Sequence, residues 1–332
     1  MIRRRFVIVT LSFGLVTMVV LLLAPTLGST RITLARVFDP TVPWSENVDA
    51  QIFFVARLPR VLAGALVGST LAAAGVVLQA LLRNPLATPF TLGVSASAAL
   101  GAMLAIAFNL DFTILGTAAV PIASFIGSLV GTAIVYLLAT RINRVLSTNV
   151  LLLAGVTLNT FFSALITFVQ YLVDFADWYR TARWLLGNLD VSSFQPIVAS
   201  LPLVAFSFAM FALLPRALNL LTLGEDTAAA RGVDVGRAQR VAFFSASVAT
   251  GAAISLAGPI GFIGVVVPEL IRLLVGADHR LVLPASILFG AAFLVLCDLI
   301  ARTVMAPIEL PVGIVTAMIG GPFFLWLLFR KS

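Results

Sequence analysis

Ten predominantly apolar runs, none shorter than 17 residues, divide this 332-residue chain. They are Phe6 to Leu27, Pro59 to Leu82, Leu92 to Phe108, Phe112 to Ala139, Val150 to Val173, Ile197 to Leu214, Val241 to Ala257, Pro259 to Val275, Leu283 to Val304 and Val312 to Phe329. Runs of that length suit helices crossing a bilayer, because only a helix or a closed barrel satisfies its own backbone there. The expectation is an all-α polytopic membrane protein with ten transmembrane helices. Composition agrees: 61% of residues are hydrophobic, against roughly 45–50% in a soluble domain. The first run follows Arg3, Arg4 and Arg5 and spans 22 residues, longer than the roughly 7–15-residue core of a secretory signal, so it reads as a first span.

An even number of spans puts both termini on one side. With the N-terminus inside, Arg3, Arg4, Arg5, Arg83, Arg141, Arg144, Arg216, Arg231, Arg237, Arg240, Arg272, Arg280, Arg330 and Lys331 are cytoplasmic, fourteen in all. Arg31, Arg36, Arg57, Arg60, Arg180, Arg183 and Arg302 fall outside, half as many, which supports this orientation by the positive-inside rule. The net charge of +7 is scattered over the ends of the runs and forms no block, so nucleic acid is not a partner. One cysteine, Cys297, and one histidine, His279, rule out an intramolecular disulfide and leave too few ligands for a transition-metal site or a Cys/His catalytic pair. No GxxxxGK[ST] phosphate loop occurs, so any ATP hydrolysis must come from another subunit.

Two stretches carry residues that a continuous lipid-facing helix does not tolerate. Val76 to Gly93 holds Gln79, Arg83, Asn84, Pro85 and Pro89; Ala257 to Gly276 holds Pro259, Gly261, Gly264, Pro268, Glu269 and Arg272. Irregular backbone at that depth must be buried in protein or line a water-filled path. Each stretch reads as short helix pieces joined by Gly and Pro, and paired interruptions in the two halves are a transporter pattern. Gln79, Asn84, Pro85, Pro268, Glu269 and Arg272 are thus the candidate path or gate residues. Gly64, Gly68, Ala72 and Gly75 form a close-packing stripe. An ion-coupled carrier would want several deep carboxylates, yet Asp298 lies four residues before Arg302 on one helix face and is neutralised by it, leaving Glu269. An intramembrane enzyme lacks a nucleophile and base constellation.

Pro215 to Arg240 is a long polar segment between two runs, and the charge count places it inside. Glu225 and Asp226 stand where a helix N-terminus prefers acids, and Gly232 suits a helix stop. Residues 224 to 236 are expected to form a short helix, a sharp turn and a second short helix, with Leu220, Leu221 and Leu223 anchoring the base. Such a compact knob needs a partner.

The runs Arg57-Leu-Pro-Arg60 with Gly64 and Ala65, then Gln79, Arg83-Asn-Pro-Leu-Ala87 and Leu92-Gly93, resemble the first half of the iron-siderophore, cobalamin and haem ABC importer permease family. The second half agrees through Gly224-Glu225, Ala228, Gly232-Val233, Gly258-Pro-Ile-Gly-Phe-Ile-Gly264, Asp278-His-Arg280, Ala301-Arg302 and Glu309-Leu-Pro-Val-Gly313. The resemblance implies a single permease domain over 1–332 in the bacterial cytoplasmic (inner) membrane, with 215–240 as its cytoplasmic coupling segment. It further implies two short coupling helices between the sixth and seventh spans and two ABC ATPase subunits meeting Gly224, Glu225, Ala228, Gly232 and Val233. ATP and Mg would be held by those ATPases, with no cofactor on this chain. A second permease copy or a paralogue completes a dimer, and a periplasmic or lipid-anchored substrate-binding protein docks on Arg57, Arg60 and Arg302. The implied cargo is a ferric siderophore, with haem or cobalamin as alternatives. One position departs from the family: Pro268-Glu269 stands where Pro-His is common, replacing an imidazole by a carboxyl group.

Overall fold

The computed structural model describes residues 2–114, 117–142 and 148–331; Arg144 of the charge count and Leu115 and Gly116 of the fourth apolar run lie outside these described residues. The chain opens with α1 (Ile2–Leu23), an exposed helix fastened to the later half of the chain. Two short helical turns follow, α2 (Leu34–Val37) and α3 (Val48–Gln51), the second capped by Asn47, whose side chain accepts from the Ala50 N–H at 3.0 Å. After a π-helical stretch, Ile52–Arg57, comes α4 (Leu58–Leu81).

α4 is the axis of the bundle: 83% of the apolar core of its span is buried, against 6% for α1. Small residues make this possible. A Cβ on Gly68 would lie 2.2 Å from the Gly290 oxygen, so backbones touch where the glycine stripe was expected. Next in the chain are α5 (Val94–Ala107), α6 (Ala119–Ile142), α7 (Thr148–Leu172), the short amphipathic α8 (Phe175–Leu185) and α9 (Gln195–Leu213). Then come α10 (Pro215–Leu221), α11 (Glu225–Ala230), α12 (Val235–Ala257), α13 (Ile263–Val275), α14 (His279–Thr303) and α15 (Val312–Lys331). α12, α13 and α14 pack directly on α4. α1 joins α14 through a Phe13–Phe289 edge contact and the Thr17 hydroxyl, which donates to the Leu288 oxygen at 2.8 Å. Apolar side chains such as Leu153, Val156, Phe168 and Leu172 on α7 point outward, which suits lipid or another subunit rather than water.

Among the described residues seven helices are long and apolar enough to cross a membrane, and α5 and α15 contribute shorter apolar stretches. α13 extends for only about 20 Å at 1.5 Å per residue, well under a ~30 Å hydrocarbon core. α5 and α13 are the short members of the set, and they follow and carry the two Gly and Pro interruptions.

Four local expectations are corrected. The fourth run begins not as helix but as a small hairpin, β1 (Thr113–Ile114) antiparallel to β2 (Thr117–Ala118). α13 is not broken at Pro268, which sits inside it. In the first interruption α4 runs unbroken past Gln79 to Leu81, and only residues 82–93 form the turn. Residues 224 to 236 contain one short helix, α11, because Asp234 accepts the Arg237 N–H at 2.9 Å and caps the long α12 at once; the other short helix, α10, precedes the segment.

Candidate functional site

The two interrupted stretches meet at one end of the bundle. α4 and α13 cross so closely that a Cβ on Gly75 would lie 2.1 Å from the Gly264 oxygen. Pro268 has no N–H, so that oxygen, four residues earlier, lacks its helical donor. Gln79 Nε2 supplies one at 3.2 Å and also donates to the Pro85 oxygen at 2.9 Å. Arg272 Nη1 then donates to Gln79 Oε1 at 2.5 Å and to Glu269 Oε1 at 3.0 Å. The Glu269 side chain is only 6% exposed, and a carboxyl group that deep needs a cation beside it, which Arg272 provides. Of the six residues expected along a path, Gln79, Asn84, Pro85, Glu269 and Arg272 line one cleft of about 440 Å³ with Arg83, Thr222 and His279. Pro268 lies behind them, buried in α13.

The knob forms part of the same structure. Glu225, the first residue of α11, accepts through Oε1 from Arg83 Nη2 and from Gln239 Nε2, each at 3.3 Å. Gly224 and Gly232 bracket α11 with φ of +117° and +81°, values that glycine adopts with little strain. Ala228 is fully buried against Leu221 and Ala238 with Val233 packed beside it, so these two shape the knob from within. α10 is fastened to α14 through Asn219: its Nδ2 donates to Asp278 Oδ1 at 2.7 Å and its Oδ1 accepts the His279 N–H at 2.9 Å. Burial alone would raise the Asp278 carboxyl pKa, but the Arg280 N–H and the Asn219 amide hold it below the usual range. Asn219, Gln239, Asp278 and His279 were not among the expected site residues. Asp278 had a readable signal, an acid one residue before a long helix.

The three arginines expected at the outer surface are a different matter. Arg57, Arg60 and Arg302 are 6%, 8% and 3% exposed, so they are not free rim charges. Arg60 Nε donates to Asp298 Oδ1 at 2.9 Å and its Nη1 to Glu309 Oε2 at 2.5 Å. Arg302 lies 3.5 Å from Asp298 Oδ2, the expected neutralising pair, and donates to the Ala24 oxygen at 2.8 Å. Arg57 donates to the Pro25 and Thr30 oxygens. The physical reason is local: the chain leaving α1 folds over the Arg57 and Arg302 guanidinium groups, and its carbonyls need donors, while Arg60 is held by carboxylates. The arginines at that end that water reaches are Arg31, Arg36, Arg180 and Arg183.

Apolar helices of spanning length gathered on a buried axis, with a polar cleft wired to a short helix outside the bundle, define a polytopic membrane transport permease. The chain belongs to the FecCD transport family, whose model matches residues 16–330. It is 37% identical to the hemin transport system permease protein HmuU of Yersinia pestis, over 97% of this chain and 95% of that one. Identity to the cobalamin import system permease protein BtuC of Halobacterium salinarum is 45%, over 82% of this chain and 72% of the relative. The fold matches a solved structure described as an inward-facing metal-chelate type ABC transporter, with a TM-score of 0.84 and 31% identity over 97% and 98% of the two chains.

Proposed function

We propose that this chain is the translocation subunit of an ATP-binding-cassette importer that takes up a ferric siderophore handed over by a substrate-binding protein. In this reading ten spans place both termini in the cytoplasm of a bacterium, and a second copy or a paralogue completes the path. Two ATPase subunits hold ATP and Mg and engage α10 and α11. The observation that carries the reading is that Arg83, which pairs with Glu225 on α11, also lines the cleft of Gln79, Glu269 and Arg272. A cytoplasmic knob joined to the mouth of a path is what coupling by another subunit requires. The buried arginines Arg57, Arg60 and Arg302 brace the outer rim on which the delivery protein lands.

The test is reconstitution with the ATPase and delivery protein in liposomes, followed by uptake of radioactive iron as its siderophore chelate. Uptake that needs ATP and the delivery protein supports the proposal. Uptake that survives ATP depletion but collapses with the proton gradient points to an ion-coupled carrier and overturns it. A second cargo, cobalamin, is favoured by the 45% identity to a cobalamin permease. Competition by cyanocobalamin, with no competition by iron chelates, would establish it instead.

A further inference from the structure

Arg83 has a backbone conformation that its residue type does not explain. At the end of α4 the Asn84 N–H donates to the Gln79 oxygen at 3.1 Å and the Arg83 N–H to the Ala80 oxygen at 3.3 Å. This pair of bonds closes a helix through one left-handed residue, here Arg83 at φ +48°. Glycine takes that position without strain, whereas a side chain crowds the following carbonyl. Strain retained at such a place directs attention to what the side chain does.

The Arg83 side chain reaches across to Glu225 on α11, 142 residues later in the chain. The two side chains are 43% and 33% exposed, so their pairing contributes little to stability. On its other side Arg83 runs straight into a stiff turn. Asn84 Oδ1 accepts the Leu86 N–H at 2.9 Å, the Ala87 N–H donates to the Asn84 oxygen at 3.1 Å, and Gln79 holds the Pro85 oxygen. A turn so tied moves as one piece. We propose that Arg83 is the positioning residue through which displacement of α11 reaches the 84–87 turn at the mouth of the cleft. The inference rests on the importer reading above.

The experiment uses the complete transporter in liposomes, with Leu86→Cys as a reporter on the exposed part of the turn. The other cysteine, Cys297, is buried and gives little background. Labelling by a charged maleimide is timed without nucleotide and after trapping with ATP and vanadate. The expected result is a several-fold change in labelling rate on trapping, lost in Arg83→Gly and restored by the charge exchange Arg83→Glu with Glu225→Arg. Arg83→Gly keeps the helix stop, so its melting temperature should match or exceed the parent. A trapping response that persists in Arg83→Gly overturns the role of Arg83 and leaves the importer reading standing. Loss that the charge exchange fails to restore assigns the effect to the turn rather than the ion pair, and overturns it as well. A parent with neither a trapping response nor ATP-dependent uptake overturns both.

Discussion

The two ends of α4 carry charged networks of similar chemistry and different depth. Arg60 at one end and Gln79 at the other lie about 28 Å apart at 1.5 Å per residue, close to the ~30 Å of a hydrocarbon core. At the Arg60 end the centre of the network is sealed, with side-chain exposures of 10% for Arg60, 2% for Asp298 and 4% for Arg302, and only Glu309, 46% exposed, reaches the surface. At the Gln79 end exposure rises stepwise, from 6% at Glu269 and 18% at Arg272 to 33% at Glu225 and 43% at Arg83. A sealed network fixes one geometry, because separating its charges leaves them without water or partner. A network that opens toward solvent can exchange partners at small cost. The first suits a fixed frame and the second a moving part.

The largest effect should come from breaking the sealed end. Arg60→Ala leaves the buried Asp298 and its neighbours short of a cation, and removing one partner of such a pair costs about 3–5 kcal/mol. Thermal unfolding in detergent and abundance in the membrane are the measurements. A loss below about 1 kcal/mol, the range of exposed pairs, would erase the contrast between the two ends. Glu269→Gln should do less. Arg272 keeps its Gln79 acceptor, so the expected cost is that of one charge-assisted hydrogen bond, about 1.5–3 kcal/mol, with an unchanged range of cargo. A shifted cargo range at undiminished abundance would instead make Glu269 a selectivity group.

The sequence showed the cleft more clearly than the outer cluster. Gln79, Asn84, Pro85, Glu269 and Arg272 stood out because polar and proline residues inside apolar runs violate the rule for lipid-facing helices, and the cleft gathers all five. That Gln79 answers the carbonyl left open by Pro268 needed the crossing of α4 and α13, which no local pattern encodes. Arg57, Arg60 and Arg302 were expected as docking charges at the outer surface because position along a span says nothing of what folds over it. The carbonyl partners of Arg57 and Arg302, namely Pro25, Thr30 and Ala24, come from a connection without periodicity. The i,i+4 spacing did foresee Asp298 with Arg302. Gly232 has the positive φ expected of a helix stop, while the second short helix expected before residue 236 is the start of the long α12, capped by Asp234.

The smallest effect on the fold, and the sharpest separation of frame from contact, should come from Arg180→Glu with Arg183→Glu. Both arginines belong to α8 and line a cleft of about 340 Å³ with Trp184, Asn188 and Asp190. Their side chains are 57% and 54% exposed, and their pairs with Asp177 and Asp190 span 3.0 and 3.8 Å at the surface. Reversing them should change unfolding free energy by no more than about 0.5 kcal/mol, as for other surface substitutions. If the delivery protein lands on this end, exposed charges set its encounter rate rather than most of its affinity. Association should then be several-fold slower than for the parent at low salt, and the difference should shrink as screening shortens the reach of the charges. Arg60→Ala tests the same face by the opposite route, since it should remove folded protein without altering how the surviving fraction responds to salt. Equal association rates for the double reversal and the parent at both ionic strengths would mean that α8 takes no part in docking. In that case Arg31 and Arg36, the other exposed arginines at this end, become the positions to reverse.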